Sequence, residues 1–153
     1  MSKITPFLWY DSQAEEAMNF YISVFKNGKV HSVQRRDGKA FLVTFEIEGQ
    51  RFMALNAGPI FKFNEAISLY VDCETQAEVD ELWDKLIANG GSPSQCGWLK
   101  DKYGLSWQII PKALGQFMSD PDPKRSGAVF QAMMKMNKIV IADLQRAYDG
   151  AVA

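Results

Sequence analysis

Gln108 is the residue of this chain most suggestive of chemistry, because it interrupts a bulky apolar run, Leu105-Ser106-Trp107-Gln108-Ile109-Ile110-Pro111. The preceding Asp101-Lys102-Tyr103-Gly104 reads as a turn: Gly reaches positive φ without steric cost, and Asp can bond its own backbone nearby. The run after it then reads as a strand. Alternation places Ser106, Gln108 and Ile110 on one face, with Trp107 and Ile109 on the other. A glutamine among such neighbours either faces a polar cavity or requires a buried partner.

Other reactive side chains are few. Cys96 would serve as a nucleophile only with a base or cation beside it. Lys100 and Lys102 are near in sequence, but the favoured reading is a buried, inert thiol. His31, the only histidine, could act as a general base; without a visible partner it reads as an ordinary surface residue. One histidine and no closely spaced cysteine pair leave no local zinc pattern. Cys73 and Cys96 are too few for a disulfide framework. Asp72 and Glu74 suit helix capping, and the clusters Arg35-Arg36 and Lys100-Asp101-Lys102 read as solvated.

Composition narrows the classes further. The 153 residues suit one domain with a sizeable core, and 47% hydrophobic with 23% charged residues is globular. A net charge of −1 gives no reason to expect nucleic acid or an anionic membrane as partner. No apolar run approaches the roughly 20 residues of a membrane span. No signal-peptide core follows the N-terminus, so a cytoplasmic location is the default expectation.

Several elements must position these residues. Ile4–Tyr10 reads as a strand, and Ser12-Gln13-Ala14-Glu15 as a capping box opening a helix through Ala17, Met18, Tyr21 and Phe25. Three strands follow, near Lys29–Arg35, Ala40–Ile47 and Gln50–Asn56, joined by the hairpin signals Asp37-Gly38 and Glu48-Gly49. The order then restarts. Ala66–Asp72 alternates like a strand, and Thr75-Gln76-Ala77-Glu78 repeats the capping box ahead of a helix ending at Asn89-Gly90-Gly91. Short strands near Ser94–Leu99 and Leu105–Ile110 complete what reads as a duplicated unit. Beyond Pro111 the pattern is helical, broken at Asp120-Pro121-Asp122-Pro123. Ala128, Phe130, Met133, Met134 and Met136 form an apolar stripe that reads as core.

Two βαβββ units in tandem, with the glycine turn before the last strand, resemble the vicinal oxygen chelate superfamily of glyoxalase I, bleomycin-resistance proteins and extradiol dioxygenases. More narrowly, the chain is similar to the PhnB-like branch, often labelled 3-demethylubiquinone-9 3-methyltransferase. The likeness rests on Ile4-Thr5-Pro6-Phe7-Leu8-Trp9-Tyr10-Asp11 with Glu15-Glu16-Ala17 and Phe20-Tyr21, and on Leu55-Asn56-Ala57-Gly58-Pro59. Asn89-Gly90-Gly91, the Cys96-to-Pro111 segment, and the ending from Phe130-Gln131-Ala132-Met133-Met134 to Tyr148-Asp149-Gly150 add to it. These motifs are specific for the branch and not for a reaction. The fold expected is α+β: a domain over 1–112 with modules at about 3–58 and 64–111, and a helical extension over 113–153 packed on that domain.

In that fold each unit curls into a half-open cup, and paired cups enclose a cavity. Metal-dependent members place His, Glu or Gln ligands on the first and last strands of both units. Carried over strand by strand, those positions fall at Thr5 (or Pro6), Ala54, Ala66 and Gln108. Only Gln108 keeps a ligand-type side chain, and an alanine methyl donates nothing to a cation. No metal or other cofactor is therefore expected. Counting in twos from the same positions adds Asn56, Ser68 and Tyr70, while Ser106 accompanies Gln108 and Phe7 and Trp9 join the first strand's face. The implied binding site is Trp9, Asn56, Ser68, Tyr70, Ser106 and Gln108, aromatic walls carrying an amide, hydroxyls and a phenol. The other reading is a filled core whose polar groups satisfy one another.

The resemblance implies a metal-independent protein that binds a small apolar or aromatic molecule. One alternative is a metal-dependent lyase, isomerase or dioxygenase of the same superfamily. Another is a methyltransferase; a doubly wound S-adenosylmethionine enzyme wants a Gly-rich strand-to-helix loop, whereas Gly90-Gly91 follows a helix. Exposed sheet edges and apolar rims point to a homodimer.

Overall fold

Ala14, Ala17, Met18 and Tyr21 recur at helical spacing and are all buried, so the first helix lays one apolar stripe on a sheet. The computed structural model describes residues 2–151; Met1, Val152 and Ala153, the ends of the expected spans, lie outside them. The chain divides into two compact units, one ending at Phe63 and the other beginning at Asn64.

The first unit runs β1 (Phe7–Tyr10), α1 (Ala14–Val24), β2 (Lys29–Arg36), β3 (Lys39–Ile47) and β4 (Gln50–Asn56). Its sheet order is β1-β4-β3-β2, with β1 parallel to β4 and the other pairs antiparallel. Asp37-Gly38 and Glu48-Gly49 have φ of 52° and 78°, and 49° and 80°, the successive positive values of the hairpin turns expected there. Leu8, Tyr10, Val43, Phe45, Phe52 and Ala54 are buried on the face packed against α1. Tyr10 and Tyr21 hydroxyls meet at 3.1 Å beneath the helix.

The first capping box is not used. α1 is entered through Gln13 with no side-chain cap from Gln13 itself, and the Ala14 amide donates to Asn56 Oδ1 at 2.8 Å. A partner from β4 thus supplies what Ser12 was expected to supply.

The second unit repeats the pattern: β5 (Ser68–Cys73), α2 (Gln76–Ile87), β6 (Ser92–Pro93), β7 (Trp98–Lys100) and β8 (Ser106–Pro111). The order β5-β8-β7-β6, with β5 parallel to β8, matches the first sheet strand for strand. This is the α+β architecture of two tandem βαβββ units expected from the sequence. Here the capping box forms: Thr75 Oγ1 accepts the Glu78 amide at 3.2 Å, and Glu78 Oε1 accepts the Glu74 amide. β5 starts later than alternation suggested, because Ala66 lies in a turn whose amide donates to Asn64 Oδ1.

Three helices complete the second unit: α3 (Lys112–Met118), α4 (Pro123–Met133) and α5 (Ile141–Gly150). Asp122 caps α4 by accepting the Lys124 amide, with Pro123 in the first turn. The helices close on Ile110, Leu114, Val129, Ile139 and Leu144. Met133 and Met136 pack on that cluster, whereas Met134 is largely exposed and α4 stops before it. Gln76 ties them to α2, accepting the Ile141 amide and donating to the Ile139 carbonyl. Among the described residues no helix is long and apolar enough to cross a membrane.

Candidate functional site

The turn before β8 determines which way Ser106 and Gln108 point. Asp101 is 2% exposed. Its Oδ1 accepts the Tyr103 and Leu105 amides at 2.9 and 3.1 Å, and its Oδ2 accepts Trp107 Nε1 at 2.9 Å. Gly104, at φ 87°, closes the turn by donating its amide to the Asp101 carbonyl. This corrects the solvated reading of Lys100-Asp101-Lys102. A buried carboxylate holds its place only with such partners. With Trp107 anchored beside buried Leu99 and Ile109, alternation sends Ser106 and Gln108 to the opposite face.

On that face the register sets Ser68 beside Ser106 and Tyr70 beside Gln108. From β7, Trp98 lies beside Gln108 and Lys100 beside Ser106. Four of the six expected site residues, Ser68, Tyr70, Ser106 and Gln108, are therefore neighbours. Gln108 Nε2 donates to Ser68 Oγ at 2.9 Å. Tyr70 is 59% exposed. Its phenol is pushed above the usual tyrosine value by desolvation, with the Asp72 charge adding. Lys100 is ion-paired with Glu65, and its hydrogen bond and charge hold the Glu65 carboxyl below the ordinary glutamate value.

Ser106 Oγ is the exception. It is the one buried side-chain polar atom without a hydrogen-bond partner among the described residues. Such an orphaned hydroxyl costs about 1–3 kcal/mol.

Trp9 and Asn56 occupy opposite faces of the first sheet. Trp9 pairs with Leu55 and Asn56 with Tyr10, so the expected common face is corrected by the parallel register. Trp9 donates Nε1 to the Gly58 carbonyl at 2.9 Å and meets Phe61 edge-on at 4.9 Å. Phe7, Met53 and Leu55 alternate onto its face. Asn56 points to the helix side; besides accepting from Ala14, it donates Nδ2 to the Ala40 carbonyl at 3.0 Å. It borders an open cleft of about 750 Å³ beside α1, across which Arg35 and Glu15 pair at 2.7 Å.

The positions carried over for a metal do not fit one. Ala54 is buried on the helix side, Ala66 sits in a turn, and the Gln108 amide engages Ser68. Among the described residues no group of three or more His, Cys, Asp or Glu could hold an ion.

The remaining reactive residues stand apart. His31 Nε2 lies 3.2 Å from Glu46 Oε1 on the exposed side of β2. Cys96, expected to be buried, is half-buried at φ 59°, with Sγ 3.7 Å from Met134 Sδ. Cys73 is the buried thiol; burial, then the neighbouring Glu78, pushes it up to about 12.

Comparison with known proteins places this fold in a family. Residues 2–110 match the family model described as 3-demethylubiquinone-9 3-methyltransferase. A solved structure described as a putative 3-demethylubiquinone-9 3-methyltransferase, PhnB protein, from Bacillus cereus is 39% identical, with a TM-score of 0.68 over 72% of this chain and 99% of that one. Protein PA1353 from Pseudomonas aeruginosa is 18% identical, with a TM-score of 0.60 over 72% and 98%. A glyoxylase/bleomycin resistance protein/dioxygenase domain from Frankia sp. EAN1pec is 13% identical, with a TM-score of 0.49 over 72% and 92%. No curated protein matches the chain. A model spanning most of the chain, and a relative this similar over its own whole length, make the chain a member of the PhnB-like 3-demethylubiquinone-9 3-methyltransferase family.

Proposed function

We propose that this protein binds a small apolar or aromatic molecule, without a metal, on the β5-β8-β7 face carrying Ser68, Tyr70, Trp98, Ser106 and Gln108. The observation that carries the reading is the unpartnered hydroxyl of Ser106 beside the Gln108–Ser68 pair. A core that served packing alone would gain by replacing that serine with an apolar residue. The adjacent indole and phenol supply flat apolar surface, the usual companion of a few fixed polar groups in small-molecule sites.

A methyltransferase reading draws less support. The strand-to-helix connections run through Asp11-Ser12-Gln13 and Glu74-Thr75, and neither offers the glycines that let a backbone approach a nucleotide-type cofactor. The metal-dependent reading is disfavoured by the same donor set that fails the cation.

The homodimer belongs to this reading as well. β2 is an edge strand exposed along nearly its full length, and Ile4, Phe7, Ile60 and Phe61 are exposed apolar side chains, features that self-association covers. Sedimentation analysis should give twice the chain mass.

Thermal-shift screening against aromatic metabolites and antibiotics, repeated after chelation, tests the binding function. The expected result is a stabilising compound whose effect survives chelator and falls in Gln108→Ala. Stabilisation that requires an added divalent ion would overturn it.

A further inference from the structure

The charged side chains named on the ligand-facing side of the second unit are paired with one another, and this restricts what it can hold. Lys100 is taken by Glu65, and Asp72 by Lys112. Tyr70 keeps its proton, its phenol being displaced upward by desolvation first. What remains free is hydroxyl and amide chemistry. Gln108 donates to Ser68 Oγ, which leaves its Oε1 as an acceptor and the Ser68 proton to be donated onward. Ser106 Oγ, two residues before Gln108 on the same face and paired across strands with Ser68, has neither a donor nor an acceptor.

We infer, on the binding function proposed above, that Ser106 selects an uncharged aromatic ligand bearing a hydroxyl or carbonyl oxygen. The ring lies against Trp98 and Tyr70, and its oxygen supplies the hydrogen bond Ser106 lacks. Among the described residues Lys100 and Lys112 already hold carboxylates, so a carboxylate or phosphate would have to displace one of these to replace its hydration. A plain hydrocarbon would leave the serine as unsatisfied as before. Ser106 is closed to solvent while Tyr70 on the same face is mostly exposed, so the ring reaches Ser106 only when the side chains over it move aside.

Two properties should therefore move in opposite directions when the hydroxyl is removed. In Ser106→Ala the folded protein loses an unpaired buried oxygen, so its melting temperature should rise by about 2–4 °C. Ligand selection should weaken in the same variant. A merely structural serine would not link the two.

Toluene, p-cresol and p-toluate, matched in ring and differing only in the polar group, make the test. Each is titrated into the full chain, with the Ser106 and Gln108 amide resonances followed by NMR. The expected result is p-cresol bound about fivefold or more tighter than toluene or p-toluate, a preference that Ser106→Ala abolishes. Binding of p-toluate as tight as p-cresol, an intact preference in Ser106→Ala, or a lowered melting temperature in that variant would each overturn the inference and leave small-molecule binding standing. If none of the three shifts either amide, the binding function falls and the inference with it.

Discussion

Asn56 Oδ1 receives the amide proton of Ala14, so the last residue of β4 caps the helix that follows β1. The opposite end of the same amide holds the Ala40 carbonyl, linking α1, β3 and β4 through one side chain. Replacing Asn56 by Ala should cost about 2 kcal/mol, since a helix amide and a strand carbonyl both lose their partner. Asn56→Asp keeps the acceptor and should cost about half as much. Urea denaturation of the two variants measures the difference. Ser12→Ala, in the unused capping box, should leave the midpoint unchanged.

Asp101 and Trp107 form the corresponding anchor in the second unit. Asp101→Ala strands two backbone amides and an indole N–H, a loss on the order of 4 kcal/mol. Asp101→Asn retains an oxygen for the amides and should lose about half of that. Equilibrium unfolding followed by tryptophan fluorescence reports both effects. Gln108 would lose its direction in the alanine variant, so ligand response should weaken there even under conditions that keep the protein folded.

Gly97 allows no side chain. Its φ is +85°, and a Cβ would lie 2.6 Å from Ile110 Cδ1 and 3.0 Å from Ile139 Cγ1. Gly97→Ala should destabilise by about 2–4 kcal/mol through backbone strain and overpacking together. Adding Ile110→Val removes the Cδ1 and should restore part of the loss, about 1 kcal/mol. Melting curves of the single and double variants separate the packing contribution from that of the backbone.

Cys73 makes stability fall at high pH. Its thiol is pushed from 9.0 to about 12 by burial. Between those values the unfolded chain releases this proton and the folded chain keeps it. The unfolded state then binds fewer protons, so stability drops as pH rises through that window and is intact below it. Cys73→Ala should flatten the decline measured by denaturation from pH 8.5 to 11. In native protein at pH 8, a thiol reagent should modify one cysteine, Cys96, and two after unfolding.

Much of the fold was legible because its signals are local. The Asp37-Gly38 and Glu48-Gly49 turns follow from residues that accept positive φ, and the Thr75–Glu78 cap from a spacing of one helical turn. Gln108 stood out as a polar residue in an apolar strand, and Ser68, Tyr70 and Ser106 joined it because alternation held along β5 and β8. The burial of Asp101 was hidden behind two flanking lysines. Its signal was the tryptophan six residues on, a donor that only a tight turn brings within reach.

The sequence by itself determined the duplicated βαβββ order, the turns, the second helix cap and the polar face of the last strand. Each depends on residues a few positions apart. Only the tertiary structure decided that Trp9 and Asn56 part company, that β4 rather than Ser12 caps α1, and that Ser106 is left without a partner. Those outcomes rest on the register of parallel strands joined by long connections, where a one-residue slip exchanges the two faces of a sheet. No local pattern carries that choice; it is made when each sheet closes against its helix.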